Sequence, residues 1–352
     1  MPETEIVNEI IVTTDKLYPV VLAIVLSATG CRHSTEPMVP RNPREYAWSI
    51  DTISYPGTFQ TSMVDIDGTS PSDVYIVGSN SDGMANMYHY DGKSWTPLIT
   101  DFSATELFAI QAFAASDIWV VGARYYSGHD SSLMAHFDGS AWNQYRVTNG
   151  RYLNAIWGAR GDDIWAAGGS GTVFHYNGNI WTKVPMDSRD RYYRLAGLSA
   201  QEVYLLGERQ VGVTSSIADY FILQKYNGSN WLAVDSSSGP YEVFQFGPFQ
   251  VAASFGTVYT LGYGVFTLHE HVWHQEMTTN APLQGLFASN ASNIFVVGQS
   301  SLIYHYDGTN WKQLANIVGD GWWLHAVWGT DTETFIVGHD ASGRKSIVLH
   351  GK

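Results

Sequence analysis

One unit of roughly forty residues recurs along nearly the whole chain, and it limits the fold more than any other feature. The clearest copy spans Leu153 to Val184 and reads LNAIWG, DDIWAAGGSG, TVFHYNG and NIWTKV. Others align with it: MVDIDG to MYHYDGKSWTPL (Met63 to Leu98), LFAIQA to MAHFDGSAWNQY (Leu107 to Tyr145), LAGLSA to ILQKYNGSNWLAV (Leu195 to Val234) and LQGLFA to LIYHYDGTNWKQL (Leu283 to Leu314). A divergent fifth copy holds VYTLG at Val258–Gly262 and TLHEHVW at Thr267–Trp273; a seventh, from Leu324, stops at the C-terminus after three runs. Each unit supplies four short β-branched and aromatic runs bounded by turn residues, the pattern of four antiparallel strands. Four-stranded units at a fixed period predict an all-β chain, a seven-bladed β-propeller over residues 46–352.

Details within the unit support this reading. Asp-Gly or Asn-Gly separates the third and fourth runs in five copies, as a tight hairpin with positive φ requires. A glycine follows the second run (Gly78, Gly122, Gly168, Gly207, Gly262, Gly298, Gly338) and is expected to end that strand. A fourth-run tryptophan recurs at Trp95, Trp142, Trp181, Trp231, Trp273 and Trp311. Burying an indole is worth roughly 4–6 kcal/mol gross, so these residues read as blade packing rather than sugar platforms. The truncated seventh copy needs a fourth strand. Tyr46–Ile53 (YAWSIDTI) carries Trp48 in the matching role and is expected to supply it, closing the ring and removing open sheet edges.

The order glycine, tyrosine, tryptophan is loosely similar to kelch and galactose-oxidase-like propeller repeats, with shorter Gly–Tyr and Tyr–Trp spacings than kelch. The turn DGxxW differs from the Asp-box of sialidase-type propellers, which needs a residue between Asp and Gly. No WD dipeptide with a Gly-His partner is present.

The N-terminus reads as an address. Leu17–Ala28 is an apolar run of twelve, too short to span a bilayer and suited to a signal peptide. It leads into Ser27-Ala28-Thr29-Gly30-Cys31, which resembles the lipobox of bacterial lipoproteins. That resemblance implies cleavage of a signal peptide at 1–30, acylation of Cys31, and a Pro-rich tether at 31–45 with Pro37, Pro40 and Pro43. The implied location is the bacterial cell envelope, lipid-anchored at the outer membrane or cell surface, or secreted if Cys31 is not acylated. The first sixteen residues depart from the pattern, with four acids against one lysine. Cys31 is the single cysteine, so no internal disulfide forms.

The net charge of −14 disfavours nucleic-acid binding, which needs a basic surface. Without residues 1–30 the chain keeps 29 acids and 18 bases, a net charge of −11. No Gly-x-Ser-x-Gly elbow, HExxH or phosphate loop occurs, and no cofactor is implied. His89, His136, His175 and His305 share one repeat position and read as structural. His269 and His271 alternate on a strand, a weak metal pattern, and no metal is assigned.

Candidate ligand residues are therefore those that break the repeat. The loops joining strands two and three are long in copies one, two, four and seven, and the face they share with the blade-to-blade connections is the expected binding face. Arg124, Tyr125, Tyr126 and His129 come from copy two, Arg209 from copy four and His339 from copy seven. Tyr152, Tyr193, Trp322 and Trp323 come from blade junctions. Aromatics beside arginine suit peptide or glycan ligands. The expected function is a monomeric, non-enzymatic module that binds a protein or glycan on this face and meets the membrane only through its lipid. A glycosidase or lyase on the same fold is the alternative, favoured by two carboxylates converging in the channel.

Overall fold

The computed structural model describes residues 41–352, apart from 82, 103–104, 127–128, 146–150, 210–219, 238–245, 316 and 318. The apolar stretch read as a signal peptide, Cys31 and most of the Pro-rich segment lie outside the described residues.

Seven four-stranded antiparallel sheets follow one another along the chain. Blades one to six span 61–97, 105–145, 153–183, 190–237, 250–278 and 283–313, each a simple meander from inner to outer strand. Blade seven takes three strands from the C-terminus (Trp323–Gly329, Thr334–His339, Ser346–Gly351) and its outer strand from Trp48–Ile53. That outer strand pairs antiparallel with Ser346–Gly351, from Trp48 opposite Gly351 to Ile53 opposite Ser346. The expected seven-bladed propeller and its closure are both present.

The core is a ring of seven apolar clusters, most of them built between neighbouring blades. Trp119, for example, is almost fully buried and packs with Ile156 and Phe174 of blade three. The five predicted hairpin glycines (Gly92, Gly139, Gly178, Gly228, Gly308) all have φ between 86° and 90°. The Asp or Asn before each accepts N–H bonds from the two residues that follow the glycine, which fixes the turn. The recurrent tryptophans pack at a tilt against the aromatic residue that opens this turn, with centroids 5.1–5.5 Å apart in five blades.

The repeated histidines have a common structural role. His89, His136 and His175 each place Nε2 within 2.7–2.8 Å of the Asp that opens the second strand (Asp73, Asp117, Asp163), and His305 does so with Asn293 at 3.0 Å. Each ring packs on a second-strand aromatic, with centroids 4.0–4.8 Å apart.

Two sequence expectations change. The second-strand glycine ends its strand in blades three, five and six but not in the others, where the strand continues toward the loop-rich face. Its constraint is space: a Cβ on Gly78 or Gly122 would lie within 2.0 Å of an inner-strand carbonyl oxygen, and one on Gly168 within 1.9 Å of the carbonyl of Tyr152, just before the inner strand. In copy two the strands run on into the predicted loop, with Tyr125 opposite Asp130 and Tyr126 opposite His129.

Candidate functional site

The site is built by an irregularity repeated on the inner strands. Opposite the second-strand glycine, six inner strands carry one extra residue, a β-bulge: Val64, Phe108, Asn154, Tyr193, Gln284 and His325. A bulge re-aims side chains, and all six line a central cavity of about 750 Å³. The next residue is small in four blades (Ala109, Ala155, Gly285, Ala326) but is Asp65 in blade one and Arg194 in blade four. Two residues further along stand Asp67, Gln111, Trp157, Ala196, Phe287 and Trp328. The channel is therefore layered, with its charged groups at off-pattern positions.

Asp65 and Asp67 bind the neighbouring blade. Ile110 N–H donates to Asp65 Oδ2 at 3.0 Å; Ala112 N–H and the Gln111 amide donate to Asp67 Oδ2 at 2.8 and 3.1 Å. An inner strand exposes unpaired backbone donors along its channel edge, and these carboxylates satisfy two of them. Burial raises both carboxyls, to about 6 for Asp65 and about 7 for Asp67, against the pull of those backbone N–H groups; Arg194 further lowers Asp65.

Arg194 faces them across the channel. Its Nη1 donates to Tyr193 O at 2.8 Å, and among the described residues no carboxylate lies within ion-pair distance. Burial lowers its pKa, and Asp65 is the main opposing influence. His325 Nε2 lies 2.8 Å from His339 Nδ1, so one proton is shared between two rings; its Nδ1 lies 3.2 Å from Gln284 Oε1. Burial, with His339 and Arg194 adding to it, lowers His325 to about 4, leaving it neutral at physiological pH.

Asp67 makes the channel visible in stability. Unfolded, it releases its proton near 3.8; folded, near 7. Between those values the folded state holds a proton that the unfolded state has lost, so stability falls as pH rises through the window. Asp67→Asn removes this dependence. The variant should gain about 1–2 kcal/mol on wild type between pH 5 and 8, after discounting for channel water. Urea midpoints at the two pH values measure this, and a pH-independent difference would contradict it.

The residues predicted from sequence divide into three groups. Trp323, at the start of its inner strand and 45% exposed, lines the channel mouth beside His339, with ring centroids 5.6 Å apart. Tyr193 lines the channel and donates its hydroxyl to Pro248 O at 2.7 Å. These belong to one site. Trp322 does not: its N–H donates to Ser301 Oγ and its ring packs on the core between blades six and seven. Tyr152 holds Arg191 through its hydroxyl at 3.2 Å, and Arg209 is bound to buried Asp190. Arg124 pairs with the Gln144 amide on its own blade. The side chains of Tyr125, Tyr126 and His129 fall outside the described residues. His271 sits in the turn with φ 67°, not on the strand with His269, so the two do not share a face; among the described residues no three His, Cys, Asp or Glu side chains gather for a metal.

Sequence reasoning missed Asp65, Asp67, Arg194 and His325. For Asp65 and Arg194 the signal was present in their departure from alanine or glycine at the equivalent positions of other copies; Asp67 and His325 stand where other copies also carry polar residues, Gln111 and Asn154 or Gln284.

No protein-family model matches the chain, and no curated protein matches it in sequence. Solved structures do match in fold. "YCF48 bound to D1 peptide" superposes with a TM-score of 0.63 at 14% identity, covering 90% of this chain and 98% of that one. YCF48 from Cyanidioschyzon merolae gives 0.58 at 12%, covering 86% and 98%. The computationally designed Ika8 protein gives 0.52 at 10%, covering 83% and 97%. At these identities the likeness is one of fold.

Proposed function

We propose that this propeller is a non-enzymatic binding module that takes a segment of another protein into its channel mouth on the loop-rich face. The observation that carries this reading is the channel itself. It is of ligand size, rimmed by the exposed indole of Trp323 and floored by polar groups at positions where other blades carry alanine or glycine. A propeller of the same fold has been solved with a peptide bound, which supports a peptide over a glycan here. The paired carboxylates of Asp65 and Asp67 lie on one strand, and each is held by backbone donors of blade two. A glycosidase pair instead flanks its bond, so the enzymatic alternative gains little from them.

The apolar run Leu17–Ala28 and the following Cys31 support display at a bacterial envelope through a lipid on Cys31. Mass spectrometry of the mature N-terminus tests this; an unmodified Cys31 would make the protein secreted instead.

Binding is tested by selecting a random peptide library and a glycan array against the full chain. Peptides are the expected ligands. Trp323→Ala should weaken the selected peptides by roughly tenfold or more, as loss of a rim indole does at other interfaces, while leaving the melting temperature nearly unchanged. Selection of glycans alone would sink the reading.

A further inference from the structure

We propose that the channel captures a peptide by its C-terminal carboxylate, with the Arg194 guanidinium as the anion receptor. This rests on the peptide-binding reading above and names the part of the peptide that is recognised.

Arg194 is the only permanent cation among the described residues that line the channel. Its level is occupied by Ala109, Ala155, Gly285 and Ala326 in four other blades, so the charge stands in a space cleared of side chains. Asp65 and His325, on blades one and seven, line the same channel as Arg194. A half-buried guanidinium without a carboxylate partner is costly unless something supplies one. Its planar fork matches a carboxylate with two parallel N–H bonds.

The groups facing Arg194 fit an incoming anion. Asp65 and Asp67 are tied to blade two by backbone N–H groups, and near neutral pH their burial withdraws part of their charge. His325 is neutral. On the adjoining blade five, Gln250 Oε1 is buried and has no partner among the described residues. An N–H beside the terminal carboxylate would satisfy that acceptor. A chain terminus offers a carboxylate and an adjacent amide N–H on a single strand. It enters a channel of about 750 Å³ without the return strand that an internal loop needs. Capture of a terminal carboxylate is an established mode of peptide recognition.

The test passes an equimolar pool of N-acetyl tripeptides with free C-terminal carboxylates, and the same pool as C-terminal carboxamides, over the immobilised full chain. Retained peptides are identified by mass spectrometry and the leading members measured by calorimetry. The free acids should bind at least tenfold tighter than their amides. Arg194→Gln should erase that preference, while Arg194→Lys, which keeps the charge but not the fork, should retain part of it. Thermal melts establish that each variant is folded; if the Gln variant is not, the acid-to-amide ratio of wild type and the Lys variant decides. Equal retention of acids and amides overturns the carboxylate inference and leaves the peptide reading standing. So does retention of amides that carry internal Asp or Glu as strongly as free acids. Retention of neither pool overturns both.

Discussion

Deleting residues 46–53 should lower the thermal midpoint by roughly 10 °C or more and leave a protein that self-associates. The expectation comes from what these eight residues cover. Ile53 is 3% exposed in the core between blades seven and one; Tyr46 is 7% exposed and, with Trp48, packs in the core between blades six and seven. Losing one buried aliphatic and two aromatic side chains removes about 6 kcal/mol or more. Six ladder pairs go with them, together with the reciprocal backbone bonds between Ala47 and Lys352. A loss of that size converts to about ten degrees in a domain this large. Self-association follows from the strand left behind. Ser346–Gly351 (SIVLHG) is buried along its whole length, and without its partner it becomes an open apolar edge. The present outer strand is exposed or half-buried at every residue except Ile53 and tolerates that position. Calorimetry and light scattering on the deletion variant check both parts. A midpoint within 2 °C of wild type would show that the ring does not depend on this closure.

The fold was legible because its determinants are local and repeated. A hairpin needs positive φ, so Asn-Gly or Asp-Gly marks it. A glycine pressed against the backbone of the inner strand or the residue leading into it leaves no room for a Cβ, and in six of the seven blades the nearest atom is a carbonyl oxygen. A truncated seventh unit with a tryptophan-bearing segment upstream implies closure. The site was less legible because it depends on register. Aligning copy four on LAGLSA places Leu195 at the inner-strand position opposite the second-strand glycine. The pairing places Tyr192 there, opposite Gly207, three residues earlier. That slip hides Arg194, which in the true register stands where Ala109 and Ala155 stand. The bulge itself has no sequence mark, since a single extra residue in an apolar run looks like a strand that continues. Asp65 and Asp67 lay in plain view within MVDIDG, yet their edge-capping partners sit some forty-five residues away on another blade. Loop tryptophans had the opposite problem: Trp322 and Trp323 are adjacent, and only the strand boundary sends one into the core and leaves the other at the mouth.

Arg209 gives the second large effect, and it separates a structural arginine from the channel arginine. The sequence marks Arg209 as off-pattern and therefore as a ligand candidate. In the fold it closes the rung opposite Asp190, with Nε 2.5 Å from Oδ1 and Nη2 2.7 Å from Oδ2. Asp190 is fully buried and also accepts the Tyr192 hydroxyl at 2.9 Å. Arg209→Ala leaves a buried carboxylate with no cation, a defect that costs about 3–5 kcal/mol in other proteins. The melting temperature should fall by roughly 5–10 °C. Removing both partners, Arg209→Ala with Asp190→Ala, should recover a large part of the loss because the uncompensated charge goes too. Peptide affinity at temperatures well below the melt should stay within twofold of wild type, since the pair lies apart from the residues that line the channel. Arg194 carries the reverse expectation, a large effect on acid-over-amide preference. If Arg209→Ala instead melted like wild type and lost peptide binding, the assignment of the two arginines would have to be exchanged, and the binding surface moved from the channel to the rim of blade four.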